Sequence, residues 1–448
     1  MNTCDSFNDL VEYFLDGRLP EALAGQISFS DLPQDARQFV FRMLSLMRRA
    51  TVPVTEITPH MIWLLSAVNP AMLPSAWGGR IPPLTSVGRH IKLDSYVSQQ
   101  AKAQGKGRPV FIDLGCGFPP VTTVDTAESL PDWSVFGVDR AFSSYVLYDA
   151  DGAYACFSRE GKFRYLQSPK KPLNDTAEAA RSRFQFLFKK LLPGLQSTGD
   201  PGSRTVEKDG YRLVFNHIRD FEAENLTFIK SDIHALRLSP AQVVRCLNVL
   251  LYFEKTVQER MLAAIAGLIE EGGMLLTGFN HPAGIYARYA VFEKNAEGLR
   301  PCEFAFSPDN LRPLGTGPWV TLQEDDREAE LLATLTRALR SDEIFWGKFD
   351  RRVDALQERI GICRREKDGF LRFSDDAQTA LSPVIMENTA TLWRQMEKEG
   401  YTERAVQALC RSGYRAWKNP VGDIAVLPPE GSLPAVASKC RRGDTGMA

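Results

Sequence analysis

Several short segments carry residue types that could bind and position a nucleoside. Phe111-Ile-Asp-Leu-Gly-Cys-Gly-Phe-Pro-Pro120 runs an apolar stretch containing Asp113 into Gly115-Cys116-Gly117. Glycines at such a point let the backbone turn sharply and let a ligand approach with no Cβ in the way. Asp139 closes the next apolar run. A carboxylate there can accept both hydroxyls of a ribose, in charge-assisted hydrogen bonds worth about 1.5–3 kcal/mol each. Asp232-Ile233 follows a third run, and Asn248 lies inside a fourth, Val244-Arg-Cys-Leu-Asn-Val-Leu-Leu-Tyr-Phe253. A dinucleotide fingerprint, G-x-G-x-x-G, needs a third glycine for close helix packing. Pro120 stands at that position, which argues against a nicotinamide cofactor.

These residues need strands to carry them. Val110–Leu114, Val135–Asp139, Leu226–Asp232, Val243–Leu251 and Gly273–Gly278 are short apolar runs bounded by polar or glycine residues, as buried parallel strands are. A helix is expected between the last two. Thr256 and Glu259 have capping-box spacing, Met261–Ile269 is apolar, and Gly272 fits the position after the helix end. Alternating strands and helices imply an α/β fold with a doubly wound parallel sheet. Around this core, 105–280, the chain divides into further parts. Residues 1–104 read as a helical N-terminal region. Residues 141–225 are too long for one crossover and read as an insertion, a hairpin plus a basic helix, that could form a lid. Residues 281–400 read as a mostly helical addition, with a helix starting near Asp326. Residues 401–428 read as a helix and a closing hairpin, and 429–448 as a flexible tail.

The segment Asp113-Leu-Gly-Cys-Gly117 resembles motif I of class I S-adenosylmethionine (SAM)-dependent methyltransferases. Asp139 matches that family's ribose-binding acid, and Ser231-Asp232-Ile233 its adenine-side acid. The helix–glycine–strand–turn–strand near the end is similar to the antiparallel hairpin that closes the family's sheet. The resemblance covers roughly 105–140, 225–280 and 400–427. It implies a Rossmann-like methyltransferase sheet, SAM as cofactor, and Asp113, Gly115, Cys116, Gly117, Asp139, Asp232, Ile233 and Asn248 as its binding residues. Val244–Phe253 also resembles the C-R-N-V-L-x-Y-F stretch of chemotaxis-receptor glutamate methyltransferases, where the asparagine lies near the methionine end of SAM. Leu247 stands where that family has arginine, so cofactor geometry carries over and the protein-glutamate acceptor does not.

Each residue also has a purely structural reading. Asp232 can cap a helix, Asn248 can satisfy a buried hydrogen bond, and Arg245 can pair with an acid on a neighbouring element. Cys116 reads as a small lining residue, since no histidine is placed by sequence to activate it. Tyr252 can wall an acceptor pocket or pack. His234 and His281 follow the third and fifth runs, on the ligand side of such sheets, and either could take a proton from an acceptor.

Composition limits the partners. Lys plus Arg (54) nearly balance Asp plus Glu (55), a net charge of −1. That leaves no basic field for nucleic acid, and no [DN]-P-P-[YF] follows the fourth run. No apolar run approaches the roughly 18 residues of a membrane span. Asp5, Asp9 and Glu12 stand where a secretory leader would be basic and then apolar. Eight cysteines without a C-x-x-C pair fit a reducing, cytoplasmic setting and no metal site. The expectation is methyl transfer to an O or N atom of a small molecule or a peptide side chain. The runner-up readings are a SAM-binding regulatory scaffold and, after it, a nicotinamide-dependent oxidoreductase. The sequence sets no oligomeric state.

Overall fold

In the first described helix, α1 (Gln34–Arg49), Phe39, Val40, Met43 and Met47 are all buried. Their spacing of three and four residues lines one face of a helix, which is why this segment docks rather than dissolves. The computed structural model describes residues 33–58, 61, 64–65, 85–101, 107–167, 174–195, 204–281, 284–367, 369–373 and 383–437. Asp5, Asp9, Glu12 and the far end of the tail lie outside them. Helix α2 (Ile91–Gln100) completes what is described of the N-terminal helical region.

The sheet follows. Strand β1 (Val110–Leu114) leads into α3 (Val121–Ser129) and β2 (Ser134–Val138). The insertion then contributes β3 (Tyr145–Tyr148), β4 (Tyr154–Phe157), β5 (Phe163–Gln167), α4 (Asn174–Leu195), β6 (Arg204–Lys208) and β7 (Tyr211–Phe215). The chain returns as β8 (Leu226–Ile229), β9 (Ala241–Leu247), α5 (Lys255–Ala266) and β10 (Ile269–Phe279). In the main sheet β8, β2, β1, β9 and β10 run side by side and parallel. The order reverses between β9 and β1, the switch point where doubly wound sheets bind ligands. This is a Rossmann-like fold, and each expected strand is present. Helix α5 ends earlier than the capping residues suggest. Gly267 follows its last residue, and Gly272, at φ +79°, instead serves a bulge in β10.

The insertion is a unit of its own. Its strands form a five-stranded antiparallel sheet in the order β5-β4-β3-β7-β6. Helix α4 lays Phe184, Phe188, Leu191 and Leu195 on one face of it, with Phe188 stacked on Phe157 at 4.1 Å. Each such ring contributes about 1.5–3 kcal/mol by burial.

Residues 281–400 depart from the helical expectation. They begin with β11 (Arg288–Asn295) and β12 (Gly298–Phe306), which extend the main sheet antiparallel from β10. Residues 288–292 are buried throughout, so the alternation that marks a half-exposed strand is missing. The helices come afterwards. They are α6 (Arg327–Ser341), α7 (Glu343–Ile360) and, after the small hairpin β13 (Cys363–Arg365) and β14 (Leu371–Phe373), α8 (Pro383–Lys398). Asp326 caps α6 by accepting the Ala329 N–H at 3.0 Å.

Helix α9 (Tyr401–Arg411) leads to the expected hairpin, β15 (Ala416–Lys418) and β16 (Ile424–Val426), but at a different place. Strand β16 pairs with β12, because β11 already fills the edge of β10. The tail also corrects the sequence reading. Leu433 is buried and β17 (Val436–Ala437) pairs with β12, so 433–437 is anchored on the sheet rather than loose. Among the described residues, no helix is long and apolar enough to cross a membrane.

Helix α6 carries one titratable contact with β10. Glu328 accepts the Thr277 hydroxyl at 2.7 Å, and burial, then nearby Asp326, pushes its pKa up to about 7. A raised folded-state pKa means that its stabilising contribution is full below the unfolded value near 4.5 and is lost as pH rises through about 7. Glu328→Gln is therefore expected to make the urea midpoint at pH 8 approach that at pH 5. An unchanged difference between the two pH values would count against this account.

Candidate functional site

The glycine turn after β1 is fixed by backbone bonds. Gly115 and Gly117 adopt φ +74° and +73°, a region costly for other residues. The Gly115 N–H donates to the Val138 carbonyl at 2.7 Å, which ties the turn to the tip of β2. A Cβ on Gly115 would run into Val249, so this residue has no room to grow. Asp139, half-buried, braces the same turn. Its Oδ2 accepts the Gly117 N–H at 3.0 Å and its Oδ1 accepts the Ala141 N–H at 2.6 Å. The carboxylate is thus oriented at the carboxyl end of β2, beside the glycine turn, where the sequence expects a ribose-binding acid.

Asp113 and Cys116 face elsewhere. Asp113 accepts from Arg245 Nε at 2.9 Å, from Arg245 Nη2 at 2.7 Å and from Thr123 Oγ1 at 2.6 Å. Asp113 and Arg245 are register partners on adjacent parallel strands, so their side chains leave the same face side by side. Arg245 also donates to Asp94 of α2 at 2.7 Å, closing a buried triad that anchors α2 to the sheet beneath the glycine turn. This is the acid-paired reading of Arg245. The Cys116 side chain is buried, and burial, followed by Asp139 and Asp113, raises its pKa well above the usual thiol value. It is no nucleophile at neutral pH.

After β8, Asp232 is exposed and caps a short 3-10 turn by accepting the His234 N–H at 3.0 Å. Arg140, beside Asp139, reaches Asp232 at 3.8 Å, a loose surface pair that adds little stability. Ile233 packs its side chain on the core. His234 is exposed on the same turn, away from the remaining candidates.

Those candidates gather at the ends of β9 and β10. Asn248 takes a left-handed φ of +58°. It donates its N–H to the Gly278 carbonyl at 2.8 Å, and its Oδ1 accepts the Asn280 N–H at 3.0 Å. It therefore clamps the two strand ends together. Asn280 in turn holds Arg89: its carbonyl accepts from Arg89 Nε at 3.1 Å, and its Nδ2 donates to the Arg89 carbonyl at 3.1 Å. Burial lowers the Arg89 pKa to about 10, with Tyr252 opposing the shift. Burial, then Arg89, lowers His281 to about 4, and burial, then Arg245 and Arg89, holds His90 well below its ordinary value. Both imidazoles are neutral at pH 7. Tyr252 keeps 39% of its surface exposed, while burial of the rest raises its pKa against the pull of Arg89.

The structure thus brings Asn248, Tyr252 and His281 together around Arg89 and leaves His234 apart. Arg89, His90, Asn280 and Asp94 escape sequence reasoning. The Arg89-His90 pair ahead of α2 is the signal that could have found two of them, and the Thr277-Gly-Phe-Asn280 strand ending a third. The insertion joins the site from above. Phe118, next to Gly117, meets Tyr154, His217 and Phe221 edge-on at 5.9, 5.6 and 6.0 Å, and its carbonyl accepts the Tyr154 hydroxyl at 2.9 Å.

No family model matches this chain, and no curated protein matches it. Among solved structures, the chain is similar to an O-methyltransferase family protein from Burkholderia thailandensis. The identity is 14% over 42% of this chain and 38% of that one, with a TM-score of 0.19. It is similar at 13% identity to the magnesium protoporphyrin IX methyltransferase of Synechocystis PCC 6803, solved with bound SAH, over 42% of this chain and 52% of that one, TM-score 0.20. An O-methyltransferase family 2 protein from Planctomyces limnophilus, in complex with apigenin, is 14% identical over 58% of this chain and 47% of that one, TM-score 0.20. The chain spans about half or less of each of these proteins. At such TM-scores the likenesses carry no weight for function, which rests on the residues themselves.

Proposed function

We propose that this chain is a SAM-dependent methyltransferase acting on a small-molecule or peptide side-chain acceptor. One observation carries the reading. Asp139 is braced by the Gly117 and Ala141 N–H groups beside a turn whose two glycines hold positive φ, at the switch point of the sheet. Such a carboxylate, oriented by those two bonds, suits the paired hydroxyls of a ribose. The donor set fits the rest of the cofactor. Gly115 and Gly117 admit its methionine end, Asp232 and Ile233 frame the adenine, and Asn248 orients the amino-acid end.

Bound SAM would supply an electrophilic methyl group, which the acceptor's lone pair takes while the S–CH3 electron pair returns to sulfur. The protein's part is alignment, which can lower a barrier by about 7–11 kcal/mol. Asn248 and Asn280 fix the strand ends that face the reacting groups. Tyr252 and His281 wall the acceptor side, with neutral His281 able to take a proton from an acceptor hydroxyl or amine. His234 follows β8, three strands from β9 across the sheet, and is not given that role.

Asp139→Ala tests the reading. SAM affinity by isothermal titration is expected to fall at least tenfold, about 1.4 kcal/mol, the loss of one charged hydrogen bond. An unchanged affinity would remove the ribose assignment. Incubation with isotopically labelled SAM and host lysate, followed by mass spectrometry, then identifies the acceptor.

A further inference from the structure

The insertion's sheet has two apolar faces with different partners. Along β3 and β4, Leu147 and Phe157 pack with α4, while Val146, Tyr154 and Cys156 pack in one cluster with Phe111, Cys116 and Phe118. Alternate residues of a strand point to opposite sides, so this division follows from the pleat. Helix α4 completes the unit, and the inner face joins it to the main sheet and the glycine turn.

The joint centres on Phe118, which is buried. Tyr154, His217 and Phe221 meet its ring edge-on, an arrangement that aromatic pairs prefer. Those neighbours are themselves held. Tyr148 meets Tyr154 at 5.5 Å and His217 at 5.6 Å, and His217 Nδ1 is hydrogen-bonded to Asp220 at 2.8 Å. The Tyr154 hydroxyl donates to the Phe118 carbonyl at 2.9 Å. A buried carbonyl deprived of such a donor is costly, so this bond constrains the backbone strongly. One residue back, the Gly117 N–H is bound to Asp139 at 3.0 Å. Only the Gly117–Phe118 peptide separates the two anchors. Glycine leaves a backbone free to move. At φ +73°, Gly117 would be the loosest point of the turn without a hold on both sides, and Tyr154 supplies the second hold.

We propose that Tyr154 is a positioning residue for the cofactor. Through its bond to the Phe118 carbonyl, the insertion holds the glycine turn in its binding shape. Cofactor binding in turn tightens the insertion's inner face, because a coupling between two binding events is reciprocal. The insertion thus works as a brace fixed to the turn rather than as a swinging lid. The proposal rests on the reading of that turn as the SAM site.

Tyr154→Phe keeps the ring and removes only the hydroxyl. Calorimetric titration of the full chain with S-adenosylhomocysteine is expected to show binding weaker by about threefold or more. Hydrogen–deuterium exchange at 114–118 in the free protein should quicken by about threefold or more. Phe188→Leu is the control. It disturbs the stack on Phe157 at 4.1 Å and the contact with Tyr145 at 5.3 Å, on the α4 side of the same sheet. It should lower stability and leave both readouts as in the parent protein. In the parent protein, saturation with S-adenosylhomocysteine should also slow exchange at 154–157 and 217–221. Unchanged affinity or unchanged turn exchange in Tyr154→Phe, an equal loss of affinity in Phe188→Leu, or protection that stops at the turn would each overturn the proposal. Should Tyr154→Phe fail to fold, the protection pattern of the parent protein decides alone. Should S-adenosylhomocysteine not bind the parent protein, the cofactor reading falls, and turn exchange in Tyr154→Phe still decides whether the brace exists.

Discussion

Replacing Arg245 with leucine is expected to remove about 3–5 kcal/mol of folding stability, because it leaves two carboxylates buried with no countercharge. Arg245 is 1% exposed, and Asp94 and Asp113 are 1% and 4% exposed. In the intact triad, burial that disfavours the guanidinium charge is outweighed by Asp113 and Asp94, so the Arg245 pKa is raised. Asp94 pays more heavily for burial: its pKa is pushed up to about 6 even with Arg245 pulling it down. Without that pull it rises further. A carboxyl with a raised folded-state pKa contributes stability that is full below its unfolded value near 3.8 and is lost as pH climbs through the folded value. The variant's deficit should therefore be larger at pH 8 than at pH 5. Urea unfolding at both pH values measures it. A deficit under about 1 kcal/mol, or one independent of pH, would sink this account of the triad. Replacing all three residues with apolar ones of similar size should recover much of the loss, since a packed apolar cluster often matches a buried ion network. That triple variant separates charge burial from packing.

The triad also shows what the sequence could and could not disclose. The strands of the parallel core were legible because a strand covered on both faces is a continuous apolar run, and Val110–Leu114 is one. The glycine turn and Asp139 were legible because their spacing is local. Strands β11 and β12 were not. Their burial on both faces resembles that of the core strands, but the neighbouring segment reads as helix, and nothing local says that β10 needs an antiparallel partner. The Arg89 cluster was hidden for a different reason. Arg89 and Asn280 are 191 positions apart, so their hydrogen bonds depend on a tertiary approach that no window of sequence contains. Asn248 stands between the cases. Its position was legible, while its left-handed backbone and its clamp on Asn280 emerge only with the two strand ends in register. The local part of the candidate site, the glycine turn with Asp139, was readable. The part around Arg89 is assembled from the segment ahead of α2 and the ends of β9 and β10, and was not.

Gly278→Ala is expected to be the most damaging change of a single methyl group in the site, costing about 4 kcal/mol or more. Gly278 has φ +145°, a conformation that side chains other than hydrogen avoid at a cost of about 1–3 kcal/mol. Its Cβ would also press on the Arg288 carbonyl and lie 2.6 Å from the Tyr289 Cα. Both obstacles are backbone of the adjacent strand, so no side chain can swing aside, and overpacking of that kind adds about 1–3 kcal/mol or more. Moving β11 away is costly too. Arg288 sits 5.0 Å over the Phe279 ring and donates to the Pro318 and Val320 carbonyls at 3.1 and 2.9 Å, so a shift of this strand breaks several buried contacts at once. The Gly278 carbonyl receives the Asn248 N–H, which links the strain to the clamp between the ends of β9 and β10. SAM binding should therefore weaken along with stability. Gly347→Ala supplies the contrast. Gly347 lies within α7, and a methyl there meets nothing within 4 Å. Alanine at that helical position should raise stability by about 0.5–1 kcal/mol. Thermal and urea unfolding of the two variants should thus move in opposite directions. If Gly278→Ala unfolded within 1 kcal/mol of the parent protein, the close approach of β10 and β11 at the site's edge would have to be looser than the geometry shows.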